Sequence, residues 1–244
     1  MKYSGKSAIT VGVLFLAALI LNIIANEITD PILQTPDYLN NVYNNKNLLI
    51  IANLLNFICA IAMIFIPVKL FPIAKKASEK MAINYIVFRA LEGILFIWLI
   101  IKSLSLISLS KHYIEGSGNI STLQSLGDSV QFEIHWVTII YIIIFTLGGI
   151  NFYSLLYKSK LIPRFLSIWG LFAVVLLFVG AILALFNLGI FLQMPLMKAM
   201  KYFAPPIAVN EFVLSLWLII KGYNLSEFDT SASEVNHRKP KRGT

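Results

Sequence analysis

Six long apolar runs separated by short polar connections constrain this 244-residue chain more than any other feature. Hydrophobic residues make up 58% of the sequence and charged residues only 13%. A hydrocarbon core of ~30 Å needs roughly 20 mostly apolar residues in a helix. Six segments meet that length, and they lie at 7–26, 47–71, 82–109, 130–157, 163–187 and 203–221.

Runs of this length and composition favour helices over barrel strands. Backbone groups in lipid must be hydrogen-bonded within the segment, and barrel strands would alternate between apolar and polar residues. We therefore predict an all-α, polytopic membrane protein, with a six-transmembrane-helix bundle over 1–223 and a disordered basic tail over 224–244. Two connections between the spans are longer than the others. The connection over 27–46 is expected to hold a short surface helix over 38–43, and the connection over 110–129 is expected to be irregular.

The formal net charge of +8 indicates orientation in a membrane rather than binding to nucleic acid. Fourteen basic residues flank the spans on one side, namely Lys2, Lys6, Lys69, Lys75, Lys76, Lys80, Lys158, Lys160, Arg164, Lys221, Arg238, Lys239, Lys241 and Arg242. The other side has four, namely Lys46, Lys111, Lys198 and Lys201. Because Lys and Arg accumulate on the cytoplasmic side, we expect both termini in the cytoplasm. The first run resembles a signal peptide but is longer and lacks an A-x-A site, so we expect it to be retained.

Three stretches of the sequence carry a resemblance to a known family. They are VFRALEGI at 87–94, LYKSKLIPRFLSIWG at 156–170 and NEFVLSLWLIIKG at 210–222. Together with the order of elements, they are similar to a bacterial family of six-span proteins known as domain of unknown function 4386. The resemblance covers about 5–223 and implies an integral protein of the bacterial plasma membrane. It implies no activity, so the function must be sought in the residues themselves.

Three ionisable residues lie deep inside the predicted spans: Arg89, Glu92 and Glu211. Each costs about 2.5 to 3.5 kcal/mol at a helix centre, which is tolerable only if they face the bundle interior and neutralise one another. Arg89 and Glu92 are three residues apart and share a helix face. Lys102 and Lys221 each lie ten residues, or ~15 Å, beyond a glutamate. If they extend to opposite interfaces, both glutamates lie near the midplane, and we expect one buried polar cluster.

The predicted cluster has two carboxyl groups and one guanidinium group. Desolvation and a neighbouring like charge both favour the neutral form of a carboxyl group. We expect one glutamate to be protonated at neutral pH or partnered by a cation, as in a small proton- or cation-coupled transporter. Alternatively, Arg89 and Glu92 form a permanent pair, Glu211 hydrogen-bonds as a neutral acid, and the protein assembles with or senses a partner without catalysis. An enzyme is the third hypothesis, because the sequence lacks the common metalloprotease, P-loop, hydrolase and dinucleotide motifs.

A short internal similarity bears on the transporter hypothesis. Residues 92–102 and 211–221 match at seven of eleven positions, and the offset of 119 residues would relate the two halves of the chain by an inverted repeat. Many secondary transporters are built in that way. Apolar helices also resemble one another by composition, and the other two pairs of spans show no convincing match, so chance similarity is the favoured interpretation.

Several weaker candidates remain in or beside the spans. His135 could bind a metal or relay protons, although a histidine in an interfacial aromatic belt is the favoured interpretation. Asn53, Asn56 and Asn210 are expected to form hydrogen bonds between helices. Cys59 is the only cysteine, which excludes an intramolecular disulfide and a cysteine-rich metal site. We expect no cofactor and no metal, and the expected partners are the lipid bilayer and a small ion or solute, with the oligomeric state left open.

Overall fold

The computed structural model describes residues 2–186, 202–225 and 228, with side chains from residue 5 onward. The described residues contain helices and no strands, as predicted. The helices are α1 (Lys2–Leu33), α2 (Tyr38–Asn44), α3 (Lys46–Ile114), α4 (Ile120–Ser159), α5 (Arg164–Leu185) and α6 (Pro205–Ile220). The predicted tail over 224–244 lies outside the described residues except at 224, 225 and 228, as does the predicted end of the fifth span at residue 187.

The outer surface of the helices is apolar along much of their length. Four of them, α1, α3, α4 and α5, are long and apolar enough to cross a membrane by length and composition, and α6 is a shorter apolar helix of 16 residues. Large apolar side chains face outward, among them Phe172 at 65% and Ile101 at 60% exposed. Such a surface is unfavourable in water, so the helices are suited to insertion in a membrane.

The 69-residue helix α3 contains two of the predicted spans. Its backbone leaves helical geometry only at Ser78, which is extended (φ −162°, ψ 107°) and separates a first arm, 46–77, from a second arm, 79–114. The arms lie side by side, because a Cβ atom on Gly93 would come within 2.8 Å of Ile64 Cδ1. The break at Ser78 lies within the predicted connection over 72–81, and the backbone of that connection is helical on both sides of it.

The two longer predicted connections are more ordered than the sequence indicates. The predicted helix over 38–43 is confirmed as α2. The predicted irregular segment 110–129 is wrong, because α3 continues to residue 114 and α4 begins at 120. The start of α4 is fixed by Asn119, whose side-chain oxygen accepts hydrogen bonds from the backbone N–H groups of Ser121 (2.9 Å) and Thr122 (3.4 Å). This cap satisfies donors that a helix N-terminus leaves free.

Helix α1 joins the two parts of the bundle that carry the predicted cluster, since it packs against both α3 and α6. Its approach to α6 depends on Gly12, where a Cβ atom would lie 2.8 Å from the carbonyl oxygen of Ser215. Helix α4 packs between α3 and α5, and α5 packs on α6. The largest apolar core draws on all of these helices, and it includes Phe15, Tyr85, Phe152 and Leu214.

Candidate functional site

Arg89 and Glu92 form a buried ion pair on the second arm of α3. Arg89 Nη1 lies 2.8 Å from Glu92 Oε1 and 3.1 Å from Oε2. The two side chains are only 5% and 1% exposed. Their three-residue spacing places both on one face of the helix. One nitrogen thus contacts both carboxylate oxygens, and the pair has no net charge.

Three aromatic rings from three helices surround the Arg89 guanidinium. Its central carbon lies 5.4 Å from the Tyr85 ring centroid, 5.5 Å from that of Phe145 and 5.8 Å from that of Phe15. The Tyr85 hydroxyl also accepts a hydrogen bond of 3.1 Å from Arg89 Nε. Rings at these distances attract a cation through their quadrupoles. We call Phe15, Tyr85 and Phe145 the aromatic cage.

Sequence reasoning missed the aromatic cage. The sequence could have identified Tyr85 as a neighbour of Arg89, since it lies four residues earlier on the same helix face. It could not have identified Phe15 and Phe145, because they contact the guanidinium from other helices, α1 and α4. Their position depends on how the helices pack, and the ring of Phe152 supports it by stacking on Tyr85 at 4.6 Å and on Phe15 at 5.7 Å.

Glu211 lies on the buried stripe of α6 but outside the ion pair. Its neighbours along that stripe are buried residues, namely Ile207, Leu214, Ser215 and Leu218. The Glu211 side chain is half-buried, and no Lys or Arg nitrogen of the described residues lies within 4.0 Å of its carboxylate. The structure thus brings two of the three predicted cluster residues into contact and leaves the third, on α6, without a partner cation among the described residues.

The predicted asparagines differ in what they contact. Asn53 Nδ2 donates to the carbonyl of Leu49 at 2.8 Å and to Ser103 Oγ at 3.0 Å, which links the two arms of α3. Asn210 is fully buried, and its Nδ2 donates to the carbonyl of Leu166 on α5 at 3.1 Å. Asn56 is half-buried, and its Oδ1 has no hydrogen-bond partner among the described residues.

His135 lies in an aromatic patch on α4, ten residues before Phe145 of the aromatic cage. Its ring stacks on Phe132 at 6.4 Å between centroids and meets Trp136 edge-on at 5.6 Å. It borders a shallow groove with Tyr38 and Asp128, whose side chains are hydrogen-bonded at 3.0 Å. Within the part of the chain that the structure describes, no three His, Cys, Asp or Glu residues are grouped to hold a metal ion.

A second ion pair, which the sequence analysis did not identify, joins α3 to α4. Lys102 Nζ lies 2.5 Å from Glu133 Oε2, and the same nitrogen lies 6.0 Å from the Trp98 ring centroid. The two side chains are 27% and 49% exposed, so the pair lies at the edge of the bundle. Lys102 was taken to extend to the outer interface with no partner assigned, and the structure shows that it contacts a carboxylate of the neighbouring helix.

Long apolar helices around a buried ion pair define the class of this molecule, a helical protein suited to membrane insertion. Residues 10–222 match the model of the family described as Domain of unknown function (DUF4386), and the chain belongs to that family. The resemblance inferred from the three sequence stretches is confirmed. No curated protein and no solved structure matches the chain. Because the family description states no activity, a function must be argued from the charged residues.

Proposed function

We propose that this protein is a six-span protein of the bacterial plasma membrane that exchanges protons for a small monovalent cation, with Glu211 as the exchanging carboxyl group. The observation that carries the proposal is the unequal pairing of the charges inside the bundle. Arg89 is held by Glu92, while the Glu211 carboxylate has no Lys or Arg nitrogen within 4.0 Å among the described residues.

The hydrogen bonds that the structure describes for Arg89 go to Glu92 and Tyr85 on its own helix, and none of them goes to Glu211. Its Nη1 contacts both Glu92 oxygens, its Nε donates to Tyr85, and the aromatic cage surrounds the group. An unpaired carboxylate in an apolar site is costly, so Glu211 requires a proton or a mobile cation as its partner. Alternation between those two partners is the elementary step of a proton–cation exchanger.

The proposed topology has six spans with both termini in the cytoplasm. The two arms of α3 serve as the second and third spans, and α1, α4, α5 and α6 supply the others. Support comes from the fourteen basic residues predicted on the inner side against four on the outer side. A bacterial plasma membrane is in keeping with the family that the sequence resembles.

Cysteine labelling tests this topology directly. Cys59 is buried, so a Cys59→Ala background removes the native thiol and allows single cysteines to be introduced. Ser117→Cys on the outer connection and Glu79→Cys on the inner connection replace exposed residues. An impermeant maleimide is expected to label Ser117→Cys in intact cells, and Glu79→Cys only after permeabilisation. The reverse pattern would overturn the orientation.

A flux assay tests the exchange itself. The purified protein is reconstituted in liposomes that contain pyranine, and a Na⁺ or K⁺ gradient is imposed while the internal pH is recorded. The parent is expected to convert at least one of these gradients into a pH change, and Glu211→Gln is expected to abolish that change. Glu79→Gln is the matched control, because Glu79 is an exposed glutamate on the inner connection. No pH change in the parent with either cation, or full activity in Glu211→Gln, would overturn the proposal.

A second candidate function is supported by the ion pair alone. Arg89 and Glu92 lie on the same helix and satisfy each other without any ligand. Such a pair suits a non-catalytic membrane protein in which buried charges fix helix packing and the protein assembles with or senses a partner. For this candidate, Glu211→Gln changes thermal stability in detergent, while the parent shows no cation-driven pH change.

A further inference from the structure

Three buried side-chain oxygens at the junction of α4, α5 and α6 have no hydrogen-bond partner in the described part of the chain. They are Tyr153 Oη on α4, Ser167 Oγ on α5 and Asn210 Oδ1 on α6. The exposed fractions of these residues are 2%, 0% and 0%. Each therefore lies well inside the bundle, where a polar atom without a partner is unfavourable.

The three residues converge on a single turn of α5. Asn210 Nδ2 donates to the carbonyl of Leu166 at 3.1 Å, which fixes the asparagine at the start of that turn. The Tyr153 ring packs so closely over Gly170 that a Cβ atom at this position would overlap it. Ser167 lies between Leu166 and Gly170 in sequence, and it shares with Gly170 the buried stripe of α5.

The chemistry of the three oxygens indicates what could satisfy them together. The amide oxygen of Asn210 only accepts hydrogen bonds, whereas the hydroxyls of Tyr153 and Ser167 both donate and accept. A single ligand that both donates and accepts hydrogen bonds can therefore satisfy all three groups. A water molecule does both, and buried waters typically form about three hydrogen bonds to polar groups that lack other partners.

We propose that this junction is a binding site for one buried water molecule, which bridges Tyr153 Oη, Ser167 Oγ and Asn210 Oδ1. The site stands on these contacts and does not depend on the exchange proposed for Glu211. Its position has a bearing on that carboxyl group nonetheless, because Glu211 directly follows Asn210 on α6. The site would place water inside the bundle, at the helix that carries Glu211.

Removal of the hydroxyl groups tests the proposal, because a bridging water and a hydroxyl without a ligand predict changes in melting temperature of opposite sign. Tyr153→Phe and Ser167→Ala each remove one oxygen without adding volume. If a water bridges the hydroxyls, each variant should lower the melting temperature in detergent by about 2 to 4 °C, and the double variant by less than the sum. If the hydroxyls have no ligand, their removal should raise the melting temperature, which would overturn the proposal. Tyr157→Phe is the control, because its hydroxyl lies on an exposed side chain of the same helix.

A second measurement uses the parent protein and needs no variant to fold. Radiolytic hydroxyl labelling followed by mass spectrometry modifies side chains that contact water, including bound internal water. Tyr153 is expected to be modified well above Tyr85, which is equally buried at 1% exposed but is hydrogen-bonded to Arg89. Equal labelling of the two tyrosines would overturn the proposal.

A metal cation is the competing ligand for three oxygens, and a salt comparison separates the two. Melting temperatures are measured in sodium chloride and in choline chloride at equal ionic strength. Water at the junction predicts the same difference between the two salts in the parent and in each variant, because any sodium bound at Glu211 acts on all of them alike. A sodium-dependent increase that is present in the parent and lost in Ser167→Ala would overturn the water proposal in favour of a cation site.

Discussion

Tyr85 and Arg89 lie one helical turn apart on α3, and the Tyr85 hydroxyl accepts a hydrogen bond of 3.1 Å from Arg89 Nε. This bond holds one edge of the guanidinium while Nη1 is directed at Glu92, 2.8 Å away. The cation is thus held on two sides by groups of its own helix. The aromatic cage completes its surroundings with rings from α1 and α4.

The ion pair predicts an asymmetry between single and double substitutions. Arg89→Leu leaves the Glu92 carboxylate buried without its partner, so the variant should lose about 3–5 kcal/mol of stability. The double variant Arg89→Leu with Glu92→Leu removes both charges and should recover much of that loss. Thermal unfolding in detergent measures both. A double variant as unstable as Arg89→Leu would contradict the assignment of the two residues as a mutually neutralising pair.

Gly170 is predicted to be intolerant of a methyl group. The Tyr153 ring occupies the place where a Cβ atom would lie, so Gly170→Ala should force the two helices apart and cost about 1–3 kcal/mol. Gly5→Ala is the matched control, because nothing lies within 4 Å of a Cβ atom at that helical glycine. The control should be neutral or slightly stabilising, since alanine favours a helix over glycine. The melting temperatures of Gly170→Ala and Gly5→Ala test this prediction. Equal values would show that α4 and α5 do not approach as closely as described.

The pair between Lys102 and Glu133 is predicted to contribute little, in spite of its 2.5 Å separation. Both side chains are partly exposed, and exposed pairs are typically worth 0.2 to about 1 kcal/mol. A double-mutant cycle with Lys102→Met and Glu133→Gln should therefore give a coupling energy below about 1 kcal/mol. The charge-swapped variant, Lys102→Glu with Glu133→Lys, should be close to the parent. A coupling of several kcal/mol would mean that the pair is far more shielded from solvent than its exposure indicates.

Tyr38, on the short helix α2, predicts that stability depends on pH in the alkaline range. Burial, and then the hydrogen bond to Asp128, raise the pKa of Tyr38 above its usual value. The folded protein therefore keeps this proton at a pH where the unfolded chain has lost it. The resulting stabilisation is complete below about pH 10, the ordinary tyrosine pKa, and declines as the pH rises toward the folded value.

Comparison of the parent with Tyr38→Phe isolates that contribution. At pH 8 the variant should be less stable by ~1 kcal/mol, because the hydrogen bond to Asp128 is lost. Between pH 9 and pH 11 this difference should shrink, since only the parent loses the tyrosine contribution. A difference that stays constant or grows over this range would contradict the described surroundings of Tyr38.

The sequence predicted the helical class, the family and the contact between Arg89 and Glu92, because each depends on local information. The length of the apolar runs indicates a helical protein suited to a membrane, and the three-residue spacing of Arg89 and Glu92 places both side chains on one helix face. The short helix α2 was also predicted, and it begins directly after Asp37 at its N-cap.

The aromatic cage and the partner of Lys102 could not be predicted, because both depend on how the helices are offset along one another. That offset is set by close contacts at small residues, such as Gly12 against Ser215 and Gly93 against Ile64. The pattern of apolar residues along one helix does not show which residues of another helix lie at the same depth. The separation of Glu211 from the ion pair has the same origin, since its depth relative to Arg89 follows from the packing of α1 against α6.

The single extended residue in α3 has a mechanical consequence. Because the backbone is helical on both sides of Ser78, no slack chain separates the arm that carries Asn53 from the arm that carries Arg89. The hydrogen bond between Asn53 and Ser103 further ties the arms together. The one-residue break and this hydrogen bond therefore restrict how far one arm can move without the other.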